Sequence, residues 1–138
     1  MPTVATRDAI PVDERAPKGL VTRSILIVED NVDLAEGISQ LLVLEGALVR
    51  IAGDGVSAIS LARAAVPDLI VCDLGLPGSM DGYAVARACR ADSLLKGVRL
   101  VAVSGYGSPE KLAETLEAGF ESFLVKPLTE DSLRALVQ

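Results

Sequence analysis

The 138-residue chain has no histidine and two cysteines, Cys72 and Cys89, which lack the C-x-x-C spacing of a metal or redox pair. A zinc site built from imidazole and thiolate is thereby excluded. One cysteine falls in a predicted strand and the other in a predicted helix, so both read as reduced, buried thiols of a cytoplasmic protein. Basic residues are also in short supply, 13 against 19 acidic ones, and the net charge is -6. Without a run of Lys or Arg there is no electrostatic footprint for nucleic acid or an anionic membrane. No apolar stretch reaches the length of a signal-peptide core or a membrane span, and the protein is expected in the cytoplasm. Internal repeats are absent.

Half of the residues are hydrophobic, which suits one domain with a single core of ordinary size. The first 23 residues, MPTVATRDAIPVDERAPKGLVTR, scatter Pro2, Pro11 and Pro17 among charges without helical or strand period. They read as a flexible N-terminal arm, with the domain proper over 24–138. From Ser24 onward strand and helix patterns alternate, the signature of an α/β domain whose parallel sheet carries helices on both faces. Five strands are predicted near 24–29, 48–52, 68–72, 98–104 and 121–125. The first helix places Leu34, Ile38, Leu41 and Leu42 on one face, and Gly46 stands where it should end. Ser108, Pro109 and Glu110 mark the start of the fourth helix and Gly119 its close. Thr129 is placed to cap a last helix that buries Leu133, Leu136 and Val137.

The stretch PDLIVCDLGLPG (residues 67–78) runs a carboxylate, Asp73, straight off a fully apolar strand. Glu29 and Asp30 likewise end the first strand, Ser104 the fourth, and Lys126 follows the fifth. In an open parallel sheet the carboxyl ends share one edge, where ligands bind, so these distant residues should converge. Three carboxylates held together repel one another and call for a cation. Oxygen ligands alone favour a hard ion, and Mg²⁺ suits a few carboxylates that leave room for a phosphoryl group. Lys126 adds positive charge, and Ser104 a hydroxyl able to donate to a group on Asp73. Such parts suit phosphoryl transfer, with Asp73 as nucleophile.

These residues fall in four segments, ILIVEDN, LIVCDLGLPG, VAVSGYG and FLVKPL, whose order and separation resemble the receiver domain of two-component response regulators over roughly residues 24–137. The stretch SGYGSPEKLAETLEAGFESFLVKPL further resembles receivers attached to hybrid sensor kinases. The resemblance implies a flavodoxin-like doubly wound fold with strand order 2-1-3-4-5. It implies that Asp73 accepts a phosphoryl group from the phosphohistidine of a sensor histidine kinase or phosphotransfer protein. Glu29, Asp30, Asp73 and the Gly75 carbonyl would surround Mg²⁺, and Lys126 would contact the phosphoryl oxygens. Ser104 would move to hydrogen-bond that group, and Phe123 would turn inward with it. A cis bond before Pro127 would help to aim Lys126. Gly75 and Tyr106 occupy positions that influence phosphoryl lifetime, and PGSMDG carries one residue more than the family's usual loop. A downstream protein would read the face made by the fourth helix, fifth strand and fifth helix. On this reading the chain is no enzyme but a signalling domain, monomeric or weakly dimeric, that assists its own phosphorylation and dephosphorylation. It would stand alone or derive from a longer hybrid kinase.

Each residue taken singly has a plainer role. A Glu-Asp pair can cap a helix and solvate its first turn, Ser104 can be a satisfied strand-end hydroxyl, and Lys126 can snorkel at the surface. Phe123 would pass as a core aromatic and Tyr106 as a loop residue. A haloacid dehalogenase-type phosphatase needs a second Asp two positions after the nucleophile, where this chain has Gly75. A flavodoxin-like cofactor binder needs a phosphate-cradling loop where Glu29-Asp30-Asn31 would repel phosphate. A degenerate receiver serving only as an interaction module is the alternative that retains the fold.

Overall fold

The computed structural model describes residues 23–105 and 107–137. Residues 1–22 of the predicted arm, and Tyr106, lie outside the described residues. Among the described residues ten elements alternate: β1 (Ser24–Val28), α1 (Val32–Leu44), β2 (Leu48–Ala52), α2 (Gly55–Ala64), β3 (Leu69–Asp73), α3 (Gly82–Ala91), β4 (Arg99–Ser104), α4 (Pro109–Ala118), β5 (Ser122–Val125) and α5 (Glu130–Ala135). The strands form one parallel sheet in the order β2-β1-β3-β4-β5.

Residue alternation within the strands sends apolar side chains to both faces, as a covered parallel sheet requires. Leu26, Val28, Ile70, Cys72, Leu100 and Ala102 pack with Ala58 and Ala62 of α2, Val85, Ala86 and Cys89 of α3, and Ala118 of α4. Ile25, Ile27, Leu69, Val71, Val101 and Val103 pack on the other face with Ala35, Ile38 and Leu42 of α1 and Leu133 and Leu136 of α5. The single core expected from composition is therefore two half-cores divided by the sheet. Each fully buried Leu or Ile contributes about 1.5–3 kcal/mol, so both faces hold the strand ends in place.

Each of α1–α5 begins on a side-chain cap: Asn31, Asp54, Asp81, Ser108 and Thr129 each accept a hydrogen bond from a backbone N–H three residues on. Ser108 and Thr129 act as the sequence predicts. Gly46 and Gly119 follow α1 and α4 with φ of 98° and 120°, a left-handed region that glycine enters without a Cβ penalty.

β2 falls where expected, and the other strands differ from expectation by a residue at one end or both. β1 ends at Val28, with Glu29 just beyond, and β3 reaches Asp73 itself. The ladder explains the second shift, because Asp73 pairs in register with Val103 and the Leu74 N–H donates to the Val103 carbonyl at 3.0 Å. Helix α5 stops at Ala135; Leu133 and Leu136 are buried and Val137 half-buried. Cys72 and Cys89 are free and buried, as predicted.

Candidate functional site

The carboxyl ends of β1, β3, β4 and β5 bring Glu29, Asp30, Asp73, Ser104 and Lys126 to one edge of the sheet. Glu29 is 4 % exposed although charged residues are seldom buried so fully. Its Oε2 accepts from the Asn31 N–H at 3.1 Å, and its Oε1 lies 3.4 Å from Lys126 Nζ. Burial pushes the Glu29 carboxyl above its ordinary range, and the neighbouring Asp73 charge adds to the shift, while the Asn31 N–H and Lys126 oppose it. Asp30, next in sequence, is exposed.

Asp73 is 8 % exposed. Its Oδ1 accepts from the Gly75 N–H at 3.0 Å, and its Oδ2 lies 3.4 Å from Lys126 Nζ. One ammonium therefore serves two carboxylates from different strands. Burial by itself would lower the Lys126 pKa, but Asp73 and Glu29 outweigh it and hold the group above the usual lysine range. The Lys126 backbone is fixed in turn: its N–H donates to the Ser104 carbonyl at 2.8 Å. The Lys126–Pro127 peptide is cis, as the resemblance implies.

Glu29, Asp30 and Asp73 each offer a carboxylate oxygen, all within 4.8 Å of one another. Three oxygen donors with no imidazole or thiolate among them fit a hard divalent cation. Cys72 takes no part, since its Sγ lies 3.3 Å from the Asp73 carbonyl oxygen within the half-core beneath α2, α3 and α4. Gly75 sits in the exposed turn after β3. Ser104 is buried at 6 % exposure, one residue past the partner of Asp73 on β4. Phe123 is half-buried against that same half-core. A Cβ at Gly107 would lie 3.5 Å from Phe123 Cζ, so the ring borders the β4–α4 connection. Tyr106, expected to bear on the site, lies outside the described residues.

Two contributors escaped the sequence reading. Asn31 both caps α1 and anchors Glu29; its place before an apolar helical pattern is a usable cap signal. The contact of Lys126 with Glu29 has no sequence signature, because it depends on how β5 lies relative to β1.

The family model of the response regulator receiver domain matches residues 25–138. The chain belongs to this family. Receiver domains of this kind are parts of two-component systems. The DNA-binding response regulator MtrA of Mycolicibacterium paratuberculosis is 37% identical over 114 residues, covering 83% of this chain and 49% of that relative. The chain thus spans about half the length of the curated relatives it matches first. Among solved structures, the chemotaxis response regulator CheY4 of Vibrio cholerae superposes with a TM-score of 0.80 at 30% identity, covering 86% of this chain and 98% of that one. The signal receiver domain of a signal transduction histidine kinase from Syntrophus aciditrophicus gives a TM-score of 0.75 at 30% identity, covering 83% of this chain and 86% of that one. The receiver fold, with the 2-1-3-4-5 order, is the one observed here. Among the described residues no helix is long and apolar enough to cross a membrane.

Proposed function

We propose that this receiver domain accepts a phosphoryl group on Asp73 from the phosphohistidine of a sensor histidine kinase or phosphotransfer protein, and thereby switches a protein-binding face. One observation carries the reading: Lys126 Nζ lies 3.4 Å from both Glu29 and Asp73, beside a cluster of three carboxylates whose oxygens lie within 4.8 Å. A carboxylate oxygen of Asp73 attacks the phosphorus. The P–N bond breaks, its electron pair stays with the imidazole, which takes up a proton, and the new P–O bond makes an acyl phosphate.

Glu29, Asp30, Asp73 and the Gly75 carbonyl are the groups that would hold Mg²⁺. When bound, the ion supplies charge neutralisation at the phosphoryl oxygens. Lys126 adds its ammonium to those oxygens, and the Gly75 N–H fixes the carboxylate that attacks. Catalysis here consists of positioning and electrostatics, so the domain assists its own phosphorylation and dephosphorylation without being an enzyme for another substrate.

Ser104 then hydrogen-bonds the phosphoryl group and Phe123 turns inward, coupling the site to the face of α4, β5 and α5. Leu112, Leu116 and Val125 are exposed there, apolar surface suited to a protein partner. Tyr106 and Gly75 tune the lifetime of the phosphoryl group. The domain works in the cytoplasm over residues 24–138, as a monomer or weak homodimer and without nucleic acid.

The test is to locate the phosphoryl group. After incubation with Mg²⁺ and acetyl phosphate, borohydride should reduce the acyl phosphate and leave homoserine at position 73. Homoserine elsewhere would move the acceptor away from Asp73, and none would favour a degenerate interaction module.

A further inference from the structure

Helix α3 starts hard against the end of the strand that carries Asp73. A Cβ added at Gly82 would lie 2.5 Å from the Asp73 carbonyl oxygen, 2.6 Å from Leu74 Cα and 3.1 Å from the Asp73 carbonyl carbon. All three are backbone atoms, so no side-chain rotation can relieve the overlap. The Gly82 N–H donates to the Leu74 carbonyl at 3.0 Å, and the Leu74 N–H donates to Val103 of β4 at 3.0 Å. Leu74, the residue after Asp73, is therefore clamped through its N–H to β4 and through its carbonyl to the first turn of α3. Two residues on, the Gly75 N–H reaches back to Asp73 Oδ1.

We propose that Gly82 is a positioning residue for the Asp73 site: its missing side chain lets α3 seat on the Asp73–Leu74 backbone, and this seating aims the Asp73 carboxylate and the Gly75 amide that holds it. The proposal rests on Asp73 as phosphoryl acceptor. Any Cβ at position 82 must move helix or strand end by roughly 1 Å to reach ordinary contact. A displacement of that size at reacting atoms costs on the order of a hundredfold in rate. Gly55, the first residue of α2, supplies the comparison. A Cβ there would lie 2.7 Å from Met80 Cβ and 2.9 Å from both Met80 O and Val85 Cγ2, a crowding less close than at Gly82 and on atoms other than the Asp73–Leu74 backbone.

The experiment compares the full chain with Gly82→Ala and Gly55→Ala. In the metal-free protein the Gly75 amide resonance should move in Gly82→Ala and stay in place in Gly55→Ala. With Mg²⁺ and acetyl phosphate, labelling per folded molecule should fall roughly tenfold to a hundredfold in Gly82→Ala and keep the wild-type rate in Gly55→Ala. Equal labelling per folded molecule in all three, with the Gly75 amide unmoved, overturns the proposal by reducing Gly82 to a packing role. If Gly82→Ala is largely unfolded, the same measurements are made in trimethylamine oxide, which favours the compact state, and a wild-type rate there overturns it equally. Failure of the wild type to label would contradict the acceptor reading instead, and the Gly75 amide would still decide whether the clamp exists.

Discussion

Lys126 Nζ stands 3.4 Å from Asp73 Oδ2, across 53 residues of chain, and the same nitrogen is equally far from Glu29 Oε1. The ammonium thus competes with any divalent cation for the same two carboxylates. Two unit charges about 4 Å apart interact by roughly 1 kcal/mol in water and more where solvent is thin.

Lys126→Met should therefore bind Mg²⁺ more tightly, by about fivefold or more from that interaction, while accepting the phosphoryl group more slowly. Calorimetric titration with Mg²⁺ and the rate of labelling by acetyl phosphate measure the two effects. Weaker Mg²⁺ binding in the variant would show that the lysine supports the acidic cluster in some way other than by charge.

Asp30→Ala should act in the opposite sense on the metal. It removes an exposed carboxylate whose oxygen lies within 4.8 Å of those of Glu29 and Asp73, so Mg²⁺ binding weakens and labelling stops. The fold should persist, since like charges are being separated. Circular dichroism checks the fold; a variant that labels as well as wild type would remove Asp30 from the site.

The polar edge could be read from the sequence because a parallel sheet brings its carboxyl ends together, whatever the helices between them do. Glu29, Asp30, Asp73, Ser104 and Lys126 all end up where that rule puts them. What stayed hidden depends on close approach between elements. Gly82 looks like any glycine near a turn until α3 is seen resting on the Asp73 backbone. Arg90, one arginine among several, proves to donate to the carbonyls of Lys96, Val98 and Gly119, tying α3 to the segment that leads into β4 and to the end of α4. Neither role has a local pattern, since its partners are backbone atoms in other parts of the chain.

Ser104→Ala should still accept the phosphoryl group, because nucleophile, carboxylates and lysine remain. Its loss should show at the surface instead. A hydrogen bond to a charged acceptor is worth about 1.5–3 kcal/mol, enough to reverse a two-state preference of similar size. With Mg²⁺ and beryllofluoride, an acyl-phosphate mimic, amide shifts near Phe123 and along α4 should be large in wild type and much smaller in the variant. Equal shifts in both would mean that Ser104 is not the relay.

Burial pushes the Cys72 thiol well above its ordinary range, with the nearby Asp73 charge adding to it, and burial also raises Cys89. The native protein should therefore resist thiol reagents at pH 8 and react at both cysteines once denatured. The sign for stability follows: a raised thiol favours the folded state below the unfolded value of about 8.5, and this contribution is lost as pH rises toward the folded value. Urea midpoints should fall between pH 8 and 10, and less steeply in Cys72→Ala. Rapid native labelling at pH 8 would contradict the buried, protonated thiols.

The acceptor itself is tested most directly by intact-mass spectrometry of wild type and Asp73→Asn after incubation with Mg²⁺ and acetyl phosphate. The wild type should gain the mass of one phosphoryl group, and none when Mg²⁺ is removed before incubation, whereas the Asn variant, isosteric but not nucleophilic, should gain none. Stoichiometric labelling of Asp73→Asn would contradict the assignment of Asp73.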